Sequence, residues 1–170
     1  MLRWHFSPFH ELTPQDLHDL YQARAAVFVV EQKCVFQDVD GADPACWHLL
    51  GFSPSPSGTQ RAERGVGEGR GEGQLFAYAR FVPPGLKFPE ASIGRVLTTQ
   101  PARRSGAGRE LMAESIRRAE GLWPGQAIRI GAQRYLEKFY GSFGFATSSE
   151  PYDEDGIEHV EMLRAPSGAR

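Results

Sequence analysis

The stretch from Ile93 to Met112 leaves few folds open to this chain. Ile93, Val96 and Leu97 form a short strand-like run, Pro101 breaks it, and a basic turn containing Gly106 and Gly108 follows. The turn opens directly into a helical pattern, with Leu111, Met112, Ser115, Ile116 and Ala119 on one face. Gly121 and Pro124 supply stop signals for that helix. The first N–H groups of a helix have no internal partner, and the macrodipole places positive charge there. Gly106 and Gly108 keep side chains out of the way, and Arg103, Arg104 and Arg109 add three charges around the same turn. Such a unit is built for a phosphate or diphosphate. The alternative is a basic loop capped into an ordinary helix; the strand before and the amphipathic helix after favour the anion site.

The turn is not a Walker loop, because no Lys-Ser/Thr follows its glycines, nor a dinucleotide fingerprint, which would need a glycine at Leu111. Arg103-Arg104-Ser105-Gly106-Ala107-Gly108 resembles the Q/R-x-x-G-x-G/A signature of the GNAT acyltransferases. The resemblance implies that Arg103, Arg104, Ser105, Gly106, Ala107, Gly108 and Arg109 hold the diphosphate of acetyl-CoA. It further implies that Val96, Leu97 and Thr98 offer their backbone to the pantetheine arm.

A second stretch, Phe139-Tyr140-Gly141-Ser142-Phe143-Gly144-Phe145, resembles the family's other signature, an aromatic-Tyr-x-x-x-Gly-Phe helix end. In the family that tyrosine points at the coenzyme's sulfur, so Tyr140 is expected to be the catalytic acid. A phenol of reference pKa about 10 donates to a thiolate of about 8.5 only against a small gradient. The structural alternative makes Phe139, Tyr140 and Phe143 one aromatic core face. The amine must lose a proton before it attacks; Glu31, Glu90, His48 and His159 are candidate bases, and none is singled out. Covalent transfer through Cys34 or Cys46 lacks any thiol-base pattern.

Further stretches resemble the ElaA-like branch of GNAT N-acetyltransferases: Arg24 to Gln32, Gln37 to Asp43, Ala77 to Arg80, Ile93 to Val96, Ile130 to Gln133, and Tyr152 to His159. The implied fold is α/β, a mixed sheet of six or seven strands flanked by helices and splayed between the two parallel strands around Val96 and Ile130. Many family members carry an asparagine where this chain has Gln133, which is expected to contact the coenzyme instead. A single domain is expected over residues 1–164, with a flexible Gly/Ser-rich hairpin insertion at 53–73 and a frayed tail at 165–170. Thr13-Pro14-Gln15-Asp16 marks a helix start, and the β-branched run from Ala26 to Glu31 predicts that this helix ends or bends there.

The net charge of −2 argues against nucleic acid as the main partner, and no apolar run approaches a membrane span. Two cysteines without C-x-x-C spacing and histidines without ligand spacing predict a cytoplasmic protein that binds no metal. The resemblance implies an acetyl group moved from acetyl-CoA to a small-molecule or peptide primary amine by direct attack in a ternary complex. The acidic run Asp38-Asp40-Asp43 is either an attractor for a cationic amine or a solvated turn. A non-catalytic module that binds a coenzyme A ester as a sensor is the competing class. Acceptor identity and oligomeric state are left open.

Overall fold

The computed structural model describes residues 1–54 and 73–166, so the flexibility expected of the 53–73 insertion, and the last four residues of the tail, lie outside the described residues. Among the described residues eight strands form one sheet: β1 (Arg3–Pro8), β2 (Trp47–Phe52), β3 (Leu75–Val82), β4 (Ala91–Thr98), β5 (Ile128–Gln133), β6 (Ala146–Thr147), β7 (Tyr152–Glu154) and β8 (Ile157–Arg164). Their order is β1-β2-β3-β4-β5-β8-β6, with β7 also paired to β8. All pairs are antiparallel except β4 with β5. The expected six or seven strands become eight because β6 and β7 are two and three residues long. Between β7 and β8, Asp155 and Gly156 take φ of 54° and 81°, the two left-handed residues that a tight hairpin needs.

Alternation along the central strands builds a core on each face. Leu49, Ala77, Ala79, Phe81 and Ile93 pack with Leu111, Met112, Ile116 and Ala119 of α2 (Ala107–Leu122). On the opposite face Leu50, Phe52, Tyr78 and Leu97 pack with Leu20, Ala23 and Val27. The first two belong to α1 (Pro14–Arg24), whose start the sequence marks correctly. Thr13 Oγ1 accepts from the Asp16 N–H at 3.1 Å, and the Thr13 N–H donates to Asp16 Oδ2 at 3.0 Å, a complete capping box. Thr13→Ala is expected to cost about 1 kcal/mol. For a chain of this size that lowers the melting temperature by about 2–4 °C, readable by thermal circular dichroism.

The β-branched run does not end the helix. It widens it into a π-helical stretch, Ala25–Glu31, closed by a bond from the Gln32 N–H to the Val27 carbonyl at 3.1 Å.

β4 contains the feature that opens the site. Tyr78 pairs with Leu97 but Arg80 pairs with Gly94, so β4 bulges opposite Ala79, and Arg95 there takes φ of 52°. β4 and β5 share a ladder only at Ala91–Ile128 and Ser92–Arg129, and beyond it they diverge. The splay expected around Val96 and Ile130 is present.

Candidate active site

At the far end of β4 the chain turns into α2. Arg104 and Gly106 are both left-handed, with φ of 64° and 91°. Among the described residues, the N–H groups of Arg104, Ser105, Gly106 and Gly108 donate to no acceptor, while Arg109 and Glu110 already bond back to the Gly106 carbonyl. Alternating backbone handedness with unpaired N–H groups at a helix start is a geometry that suits an anion. Ser105 shapes it: its Oγ donates to the Ala102 carbonyl at 2.7 Å and lies 3.4 Å from the Ala107 nitrogen. A Cβ on Gly108 would lie 3.9 Å from Thr98 Cγ2, so the turn abuts the end of β4.

The arginines of the turn differ. Arg103 pairs with Glu31 at 2.8 Å and reaches the Thr98 carbonyl at 3.4 Å. Arg109 lies over the rings of Phe139 and Phe143 and reaches Ser142 Oγ at 3.4 Å. Arg104 forms no ion pair among the described residues.

Between the diverging strands lies a cleft of about 430 Å³, lined among others by Val96, Ile130, Gln133, Leu136, Tyr140 and His159. Tyr140 comes from α3 (Glu137–Gly141). Its ring packs edge-on against Phe139 and Phe145, so the aromatic-core reading holds for the ring while the residue also lines the cleft. Burial, reinforced by Tyr135, pushes the phenol up to about 12. Leu97 turns its side chain into the α1 core, leaving only its backbone for a ligand. Gln133 lines the cleft, its Oε1 accepting from the Tyr135 hydroxyl at 2.5 Å.

Three candidate bases are otherwise engaged. Glu31 holds Arg103, and Glu90 holds Arg129; neither lines the cleft. His48 is fully buried, its Nδ1 2.8 Å from the Tyr78 hydroxyl and its Nε2 3.1 Å from the Asp43 carbonyl, and burial pushes its pKa down. His159 lines the cleft.

The acidic run is neither an amine attractor nor a solvated turn. Asp43 accepts from Arg24 at 2.8 Å and Arg80 at 2.9 Å, Asp38 from Arg24 at 2.8 Å and Arg95 at 2.7 Å, and Asp40 from Arg80 and Lys87. This network ties the loop before β2 to the β4 bulge, and the sequence reading missed it. Its one local signal was Arg80, a charge inside the otherwise apolar strand Leu75–Val82. Cys34 and Cys46 are buried free thiols, and burial pushes Cys46 up to about 11.

A sequence profile of the acetyltransferase (GNAT) domain matches residues 72–165. Protein ElaA of Escherichia coli K12 is 35% identical over 166 residues, covering 96% of this chain and 97% of ElaA. Among solved structures, an acyl-CoA N-acyltransferase from Pseudomonas aeruginosa superposes with a TM-score of 0.82 at 36% identity, over 97% of this chain and all of that one. Escherichia coli ElaA superposes at 0.81 and 34%, over 96% and 99%. With the open sheet, the diverging parallel pair and the amide-lined turn in place, these matches are decisive: the chain belongs to the GNAT acetyltransferase family and is ElaA-like within it.

Proposed function

We propose that this protein is an acetyl-CoA-dependent N-acetyltransferase that joins the acetyl group to a primary amine by direct attack in a ternary complex, in a reducing, cytoplasmic setting. One juxtaposition carries the reading: the unpaired N–H groups of Arg104, Ser105, Gly106 and Gly108 lie at one end of a split between parallel strands, and Tyr140 lines that split. The turn takes the diphosphate, with Arg104 free to add charge. The unpaired edge of β4 from Val96 to Thr98 takes the pantetheine amides, and the thioester then reaches Tyr140.

The amine nitrogen attacks the thioester carbonyl, the C–N bond forms, the C–S bond breaks, and the departing thiolate takes a hydrogen bond from the phenol. Because the phenol sits near 12 and a reference thiol near 8.5, full proton transfer even to the freed thiolate is uphill by about 5 kcal/mol. The gradient is steeper than the sequence reading assumed, so Tyr140 acts by donation that strengthens as charge grows on sulfur. Among the acids lining the cleft, Glu161 is held by Arg129, while Glu154 and Asp155 form no ion pair among the described residues and favour a cationic acceptor.

The test is thiol release from acetyl-CoA over a panel of primary amines, with coenzyme A binding followed by calorimetry. Turnover on any amine supports the enzyme; tight binding with no turnover on the whole panel favours the non-catalytic module. Gly108→Glu sets a carboxylate where the diphosphate would lie, in a space whose nearest atoms stand at 3.9 and 4.0 Å. It is expected to weaken coenzyme A binding about tenfold or more, which needs only 1.4 kcal/mol, without lowering the apo melting temperature. Unchanged affinity would remove the turn from the site.

A further inference from the structure

Resting on the acetyltransferase reading above, we propose that His159 is the general base that deprotonates the incoming amine. His159 stands on β8 directly opposite Gln133 of β5. Its neighbours Val160 and Met162 point into the α2 core, which turns His159 to the other face of the sheet, and there it lines the same cleft as Val96 and Tyr140. Its Nδ1 lies 2.8 Å from the Ile157 carbonyl oxygen. A carbonyl only accepts, so Nδ1 carries a proton, and in the neutral ring the lone pair is then on Nε2. Among the described residues nothing hydrogen-bonds Nε2. The ring stacks on Tyr152 at 6.0 Å and 27°, which fixes its plane. A neutral imidazole held in one tautomer, with the other nitrogen open to a cleft, is the arrangement a base requires.

The groups facing it are accounted for. From β7 and its turn come Tyr152, Glu154 and Asp155, from β5 Gln133, from α3 Tyr140. Arg129 is shared by Glu90 and Glu161, the cleft-lining Arg80, Lys87 and Arg95 are paired with Asp43, Asp40 and Asp38, and Arg134 holds Glu158 at 2.7 Å. Glu154 and Asp155 are the rival bases, but both stand exposed at the hairpin turn, whereas His159 is held by its bond to the Ile157 carbonyl and its stack on Tyr152.

The protons balance. His159 Nε2 takes one proton from the ammonium, and the free amine attacks the thioester. Of the two remaining N–H protons, one stays on the amide and the other leaves nitrogen for the departing thiolate, which Tyr140 holds by its hydrogen bond. The products are the amide, coenzyme A as thiol, and one proton that His159 returns to water.

The experiment measures kcat/KM for thiol release against pH in the wild type, His159→Gln, His159→Ala and Glu154→Gln, with coenzyme A affinity as the check on folding. Both histidine variants are expected to lose about 10²-fold or more at neutral pH and to lose the acid limb of the profile, while binding coenzyme A normally. Added imidazole is expected to restore part of the rate to His159→Ala. In the apo wild type, ¹⁵N-histidine NMR is expected to find the His159 proton on Nδ1. A histidine variant that keeps wild-type rate and acid limb, an acid limb that vanishes in Glu154→Gln instead, or a proton found on Nε2 overturns this assignment alone. A wild type that releases no thiol with any amine overturns the acetyltransferase reading and this base with it.

Discussion

Tyr140→Phe is expected to lower kcat for thiol release by about 10²- to 10⁴-fold and to leave coenzyme A affinity unchanged. The substitution removes one hydroxyl and keeps the ring contacts with Phe139 and Phe145, so the core around α3 survives. The lost donor matters only when sulfur becomes negative, so the deficit belongs in kcat and not in binding. The phenol near 12 adds a second expectation. Burial disfavours the phenolate, so Tyr140 stays protonated up to about pH 11, and no alkaline loss of rate below that belongs to it. A Phe variant with unchanged kcat would strip Tyr140 of its role, whereas an alkaline limb between pH 8 and 9 that disappears in Tyr140→Phe would overturn the upward displacement of its phenol.

Asp43→Ala is expected to destabilise the protein by about 3–5 kcal/mol, the cost of leaving buried charge without its partner. At about 2–4 °C per kcal/mol this is a fall of roughly 6–20 °C in melting temperature. Asp43 is 1% exposed and takes hydrogen bonds from two buried guanidiniums, those of Arg24 and Arg80. Desolvation by burial pushes its carboxyl up, but those two arginines outweigh it and the net displacement is downward. A carboxyl with a lowered folded-state pKa stabilises fully above its unfolded value of about 3.9, and that contribution is lost as pH falls below it. Asp43→Asn, which cannot take up the proton, is therefore expected to show a shallower loss of stability below about pH 4 than the wild type, measured by urea unfolding across pH. A variant as stable as the wild type at pH 7 would mean that the network positions the loop without holding the fold.

The strand, turn and helix around Gly106 were legible in the sequence because each signal is local. A proline stops the strand, a glycine takes the left-handed step, and the apolar face of α2 repeats every three or four residues. The capping box at Thr13 was legible for the same reason, its two halves standing three residues apart. Tyr140 was reachable through the resemblance of a short helix end. The acidic run was misread because its partners lie elsewhere in the chain: Asp43 meets Arg24, 19 residues away, and Arg80, 37 away. β7 escaped notice because a strand of three residues carries no periodicity and exists only through pairing with β8.

What the sequence determined alone was therefore the class of fold, the glycine turn before α2 and the set of candidate residues. The tertiary structure decided which of those residues meet in the cleft. Four candidate bases looked equivalent as letters, and folding sorted them by burial and partner, engaging Glu31 and Glu90 in ion pairs and His48 in the core while leaving His159 in the cleft. The reason is physical: a side chain's proton affinity and reach are set by what packs against it, and in this chain those neighbours come from distant segments.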